Sequence, residues 1–262
     1  MNVLEIRGGT VAFPGPHRLL ASIFRRRAAP FLALDGVSLA IRRGECWGLV
    51  GESGSGKTTL GLVLARLQKL TGGDLLLDGV PAATIPRRRF HRQVQLIFQS
   101  PRDALDPRYT VRQTLLEPLR LYGAAKGRIR EVVNELLAAV QLSSELENRL
   151  PGALSGGQRQ RVAIARSLAV DPAFLICDEV VSALDTVLRG EVVQLLRTLQ
   201  VSRNLGMLFI THDPSLIGHL CSHLAILQKG KIVECGTAAS ILAKPGTECA
   251  RQLLQSIIPI PH

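Results

Sequence analysis

Residues 51–59 read GESGSGKTT, directly after the apolar run ECWGLV at 45–50 and directly before an amphipathic pattern carried by Leu60, Val63, Leu64 and Leu67. The stretch fits G-x-x-x-x-G-K-[ST] at Gly51, Gly56, Lys57 and Thr58, in the strand–loop–helix setting that gives the pattern meaning. Glycines let the backbone curl so that successive N–H groups point at phosphate oxygens, and the helix that follows presents its positive end to the same charge. Lys57 is expected to reach the β- and γ-phosphates of a nucleoside triphosphate, and the Thr58 hydroxyl to ligate Mg2+. An incidental lysine in a glycine-rich turn accounts for the letters but not for their setting.

Further apolar runs follow: VQLIF (94–98), FLIC (174–177), MLFI (207–210) and LAIL (224–227). They are continuous rather than alternating, as in strands covered on both faces of a parallel sheet. Helical spacings lie between them, including Ile129, Val132, Val133, Leu136, Leu137 and Val140. The alternation predicts an α/β fold. Between about Ser100 and Leu154 no strand pattern is visible, only the proline-bearing SPRDALDPRYT and helices, so this stretch reads as a helical insertion. PGPHRLLASIFRRRAAP (14–30) reads as a loop or short helix between two early strands.

Polar residues end the apolar runs. FLICDE places Asp178 and Glu179 where open α/β sheets bind ligands, at the carboxyl end of a strand. Asp178 suits the Mg2+ shell, and Glu179 suits polarising an attacking water. Gln99 closes VQLIFQ and His212 follows MLFIT, which directs both toward the same sheet edge. A histidine after a strand is more often structural, and its role here is argued from its neighbours.

Composition narrows the classes. With 262 residues, 46% of them hydrophobic, the chain can bury a substantial core. It has no uninterrupted apolar run of roughly 18 residues and no secretory pattern at MNVLEIRGGTVAF, so a cytosolic protein without a membrane span is expected. Five cysteines form no CxxC pair. Cys46 and Cys177 fall in apolar runs, while Cys221, Cys235 and Cys249 recur every 14 residues, a faint hint of a metal site; because compact sites draw ligands from close pairs, reduced structural cysteines are expected. The formal charge is +11, with clusters at Arg25, Arg26, Arg27 and at Arg87, Arg88, Arg89, Arg92. Aromatics are only 4% and do not interleave with the arginines, which argues against nucleic acid. An anionic surface, an acidic partner or plain solvation remains for them.

GESGSGKT, Gln99, LSGGQRQR (154–161), FLICDE, SALD (182–185) and THD (211–213) occur in that order. This set resembles the ATP-binding-cassette ATPases over nearly the whole chain. The resemblance implies a P-loop nucleoside-triphosphatase core with a small antiparallel β subdomain (1–99 and 159–262) and a helical subdomain at 100–158 that carries the signature segment at its end. It implies ATP and Mg2+ as ligands, with Ser53, Gly54, Ser55 and Thr59 joining the phosphate cradle and Gln99 and Asp178 joining Thr58 around the metal. His212 would contact the γ-phosphate. Two cassettes would stack head to tail, so that Ser155, Gly156, Gly157 and Gln158 contact the partner's nucleotide. A serine capping a helix expected from Gln158 to Ala169 accounts for Ser155 alone. Asp185 would couple the two sites, and Phe13, placed ahead of the first strand pair, would stack on adenine.

LALDGVSLAIRRGECWGLVGESGSGKTT, FQSPRDALDPRYTV and THDPSL through KGKIVECGT resemble the peptide/nickel importer subfamily more narrowly. That likeness implies a second ATPase subunit, two transmembrane permease subunits, an extracytoplasmic solute-binding protein and a place on the cytoplasmic face of the inner membrane. Val180 stands where proline is usual, and the chain lacks the cysteine-bearing tail of some relatives, which argues against an iron–sulfur role. A soluble ATPase of the same superfamily acting on DNA or ribosomes is the alternative; it commonly carries a coiled coil or two cassettes. A binding module without turnover would be expected to lack Lys57 or Glu179.

Overall fold

The apolar runs form strands in two sheets that share one helix. The computed structural model describes residues 3–14, 30–99, 105–122 and 128–255. Strand β1 (Val3–Phe13) pairs antiparallel with β2 (Phe31–Arg42) and with β4 (Gly72–Leu77), and β5 (Val80–Pro81) closes the order β2-β1-β4-β5. The larger sheet runs β10-β9-β3-β8-β7-β6, built from β3 (Cys46–Val50), β6 (Val94–Ile97), β7 (Phe174–Asp178), β8 (Gly206–Ile210), β9 (His223–Gln228) and β10 (Lys231–Thr237). Its first five strands in space from β9 to β6 are parallel, and β10 returns antiparallel along β9. Every residue of β7 and β8 is buried, which is why their sequences lack alternation.

The helices among the described residues are α1 (Lys57–Leu64), α2 (Arg87–Gln93), α3 (Val111–Tyr122), α4 (Ile129–Ala139), α5 (Gly156–Leu168), α6 (Thr186–Ser202), α7 (Ile217–Leu220), α8 (Ala238–Ala243) and α9 (Glu248–Gln255). Helix α1 lies between the sheets: Leu60, Val63 and Leu64 share one core with Leu4, Ile6 and Leu39 of the antiparallel sheet and Ile176 and Leu208 of the parallel one. A second core covers the other face of the parallel sheet, where Leu115, Leu119, Val133 and Leu137 join Val162 and Phe209. Helices α3 and α4 both pack on α5. Arg161 on α5, with its side chain only 11% exposed, donates to the carbonyl of Val140 and to Glu191 on α6, and Arg166 pairs with Glu117 on α3 at 2.9 Å.

Several expectations shift. Helix α1 stops at Leu64, so Leu67 lies beyond it and is 54% exposed; the chain turns through Arg66 at φ 57° instead of continuing the stripe. Helix α5 begins at Gly156, two residues before the expected start, because Ser155 supplies its cap. Cys235 is exposed whereas Cys221 and Cys249 are buried, and no cluster of three histidine, cysteine, aspartate or glutamate side chains that could hold a metal exists among the described residues, so the spacing of 14 does not build a metal site. Cys46 instead lies with its sulfur 3.7 Å from that of Cys221. Arg25, Arg26 and Arg27, most of the segment 14–30, residues 100–104 of the proline-bearing stretch and the end of the chain from 256 lie outside the described residues.

Phe209 is fully buried on β8, the strand between β3 and β7. Phe209→Ala should lower the unfolding free energy by about 3–5 kcal/mol, the transfer and cavity terms together. Urea denaturation followed by circular dichroism would show it as a lower midpoint at unchanged slope.

Candidate active site

The loop 51–56 turns tightly enough that two of its glycines have no room for a side chain. A Cβ on Gly51 would sit 2.2 Å from the carbonyl oxygen of Leu227, and one on Gly56 would sit 2.3 Å from that of Ala33. Gly56 also takes φ 107°, a conformation L side chains rarely adopt. Ser55 is pinned on both sides, its N–H donating to Glu52 and its carbonyl accepting from Gly230. Lys57 opens α1, is 7% exposed, and donates through Nζ to the carbonyls of Gly51 (2.8 Å) and Glu52 (2.9 Å).

Across the sheet, β7 ends at Asp178 and the chain bends sharply. Glu179 holds φ 48°, a left-handed conformation costly for a residue with a side chain. Its N–H donates to the Ile210 carbonyl, and its own carbonyl accepts from the Ser182 backbone and hydroxyl. These bonds hold the strained turn and fix the direction of the carboxylate. Gln99 Nε2 donates to Glu179 Oε2 at 2.9 Å, and His212 Nδ1 lies 3.4 Å from the same oxygen. The loop that carries His212 is braced in turn: Asp213 pairs with Arg189 of α6 at 3.1 Å.

Thr58 donates its hydroxyl to Asp178 Oδ1 at 3.4 Å. Burial pushes the Asp178 carboxyl above its ordinary value, an effect that the Thr58 bond and the Lys57 charge only oppose in part, while Glu179 adds to it. Burial also pulls the Lys57 ammonium below its ordinary value, against the attraction of Glu179 and Asp178.

Lys57, Thr58, Gln99, Glu179 and His212 line one cavity of about 580 Å³; Asp178 does not line it and is joined to it through its bond with Thr58. Ser53, Gly54, Gly56, Lys57, Thr58 and Thr59 form one wall, and Gln99, Glu179 and His212 another. Phe13, Phe31 and Ala33 form the mouth. Phe13 is the last residue of β1, paired in register with Phe31, rather than a residue ahead of the first strand pair. Both rings are substantially exposed, Phe13 at 38% and Phe31 at 56%. Phe31 escaped the sequence reading because no motif contains it; only the β1–β2 register brings it beside Phe13. Gly51 and Ser55 are buried behind the cavity wall, and the Ser55 hydroxyl has no hydrogen-bond partner among the described residues.

The signature segment stands elsewhere. Ser155 caps α5 by accepting from the Gln158 N–H, and Gln158 Oε1 returns the bond to the Ser155 N–H. The box explains Ser155 and Gln158 together. Gly156 and Gly157 face Leu184 and Leu188, on either side of Asp185, which caps α6 through the Leu188 N–H. Ser155, Gly156, Gly157, Gln158 and Asp185 therefore form a second group, none of which lines the cavity.

A family model described as ABC transporter matches residues 34–182. The chain belongs to the ABC transporter family. Over 248 residues it is 42% identical to a putative peptide import ATP-binding protein of Brucella ovis, covering 93% of this chain and 78% of that one. The oligopeptide transport ATP-binding protein OppF of Bacillus subtilis is 41% identical over 235 residues, 87% of this chain and 77% of its own. Among solved structures, the dimeric post-hydrolysis state of the ATP-binding cassette MJ0796 bound to ADP and Pi superposes with a TM-score of 0.76 at 26% identity, over 90% of this chain and 98% of that one. As an ABC ATPase, this chain binds and hydrolyses ATP. No helix among its described residues is long and apolar enough to cross a membrane.

The raised Asp178 carboxyl sets a pH signature for the nucleotide-free ABC protein. Below the unfolded value, about 3.9, the group is protonated in both states and costs nothing; as pH rises through the folded value, ionising it in its buried setting removes stability. Asp178→Asn should therefore raise the melting temperature of the nucleotide-free protein near neutral pH, with the gain shrinking toward about pH 4. A thermal melt series across pH reads it, and an equal shift at every pH would contradict the burial argument.

Proposed function

We propose that this chain is the ATP-hydrolysing subunit of an importer for peptides, working on the cytoplasmic face of the inner membrane with a second ATPase subunit and two separate permease subunits. An extracytoplasmic solute-binding protein would deliver the solute. The solute class rests on the likeness to relatives named for peptide and oligopeptide transport; a nickel or metal chelate is the neighbouring choice within the same subfamily likeness. The observation that carries the mechanism is the separation of the two phosphate-binding groups, since Lys57 and Glu179 line the cavity while Ser155 to Gln158 stand outside it. Each chain then supplies half of two sites, and two chains stacked head to tail complete both.

The donor set fits Mg2+. Thr58 and Asp178 offer hard oxygens within 3.4 Å of each other, and among the described residues the buried Asp178 carboxylate has no ion pair to a basic side chain. Together with the Gln99 amide oxygen they would hold the ion, which when bound neutralises phosphate charge. Lys57 supports the β- and γ-phosphates through its ammonium group. Glu179, its carboxylate steadied by Gln99 and His212, orients the water that attacks the γ-phosphate. Phe13 and Phe31 offer aromatic surface to the adenine ring. Closure on two ATP molecules draws the helical regions together and switches the permease; loss of the γ-phosphate releases them.

Lys57→Ala should reduce hydrolysis at least about a hundredfold, the scale of losing a charge-stabilising donor. Glu179→Gln should lower turnover by about 10²–10⁴-fold while ATP stays bound and the paired form persists, as seen by size-exclusion chromatography of the assembled ATPases. Mild-detergent capture of the tagged chain should recover two multi-span proteins and a second ATPase. Growth of an auxotroph on a peptide source should then fail in the Lys57→Ala strain. Recovery of ribosomal or DNA-bound partners, with no membrane protein, would overturn the importer reading.

A further inference from the structure

A second cavity, of about 490 Å³, lies at the opposite end of α1 from Lys57, between that helix end, β4 and β5. Three cations line it, Arg66, Lys69 and Arg87, against one acid, Asp74. Its apolar side is made by Val63, Leu70, Leu75 and Pro81, of which Leu70 and Leu75 are half-buried. Neither the nucleotide nor the groups that hydrolyse it use any of these residues.

Arg66 is built into the wall. Its backbone is left-handed at φ 57°, at a helix end where glycine or asparagine is usual. Nη1 donates to the Ile85 carbonyl at 2.6 Å and Nη2 to the Ala83 carbonyl at 3.3 Å. The guanidinium carbon lies 5.6 Å from the centre of the Phe90 ring. Two of five N–H donors are thereby used, and no carboxylate among the described residues neutralises the charge. Lys69 and Arg87 are exposed and likewise have no ion pair among the described residues. Burial first, and then the charges of Arg66 and Arg87, push the neighbouring His91 imidazole below its ordinary value, so positive charge here is felt locally.

The lining discriminates among ligands. A hydrocarbon would leave the cations unmatched, whereas a polyphosphate would meet Asp74 and leave the apolar side wet. We propose that this cavity is a second, non-nucleotide ligand site, for a small amphiphilic carboxylate: an acyl chain or a short apolar peptide with a free carboxyl end. The carboxylate lies among Arg66, Lys69 and Arg87, and the apolar part covers Leu70 and Leu75. A peptide would place its ammonium end near Asp74; an acyl chain would not use it. The site stands independently of the solute reading above.

The test is calorimetric titration of the full chain, with its nucleotide cavity filled by a non-hydrolysable ATP analogue, using trileucine and octanoate and the amide of each. At least one carboxylate should bind one to one, its amide about tenfold more weakly, the scale of losing a hydrogen bond to a charged group. Lys69→Glu and Arg87→Glu, both at exposed positions, should each weaken it by about tenfold or more while nucleotide affinity is unchanged. Binding of trileucine alone assigns a peptide, and binding of octanoate alone assigns an acyl chain. The proposal is overturned if neither binds at millimolar concentration, if the amides bind equally well, or if both charge reversals leave binding unchanged.

Discussion

The loop 51–56 is wedged between two carbonyl oxygens from different sheets, and the rest of the site is set by that wedge. Gly51 lies against Leu227 of β9 and Gly56 against Ala33 of β2. Gly230 adds to the joint, donating to Ser55 and accepting from the Asp35 N–H. The antiparallel sheet is thus held directly beside the phosphate loop. Phe13 and Phe31 reach the cavity only because β2 is fixed there. A methyl group at either glycine would push the sheets apart, since backbone carbonyls at 2.2–2.3 Å have no rotamer by which to yield.

On that frame the charges are arranged with little water to soften them. Asp178 is 7% exposed and Lys57 equally so, and each is displaced from its ordinary ionisation by burial. Burying these two charges is expensive in the nucleotide-free protein. Glu179 stores a different strain, in its backbone, and the bonds from Ser182 and to Ile210 keep it there. Function is thereby placed where stability is locally sacrificed, and the fully buried β7 and β8 supply the rigidity that tolerates it.

The helical side follows another logic. Arg161 and Arg166 tie α5 to α3, to the end of α4 and to α6, which fixes the capped start of α5 against its neighbours. The cap itself is exposed at Ser155. The capping box closes that end of the helix on its own residues, at a place separate from the cavity that the phosphate loop lines.

The sequence by itself determined the class of activity, ATP hydrolysis, and the parallel core. The shared location of Lys57, Thr58, Asp178, Glu179, Gln99 and His212 was legible, the first two from the glycine-rich loop and the others because each ends or follows an apolar run, and a strand delivers its end to a predictable edge. The continuous runs were legible because burial on both faces erases alternation. Long-range pairing was not. The register of Phe13 with Phe31, the shortened α1 with Leu67 outside it, the meeting of Cys46 with Cys221 and the cations around Arg66 depend on which surfaces close on one another. Local spacing carries no record of that, because each such contact joins segments whose separate patterns are satisfied by many partners. Only packing selects one.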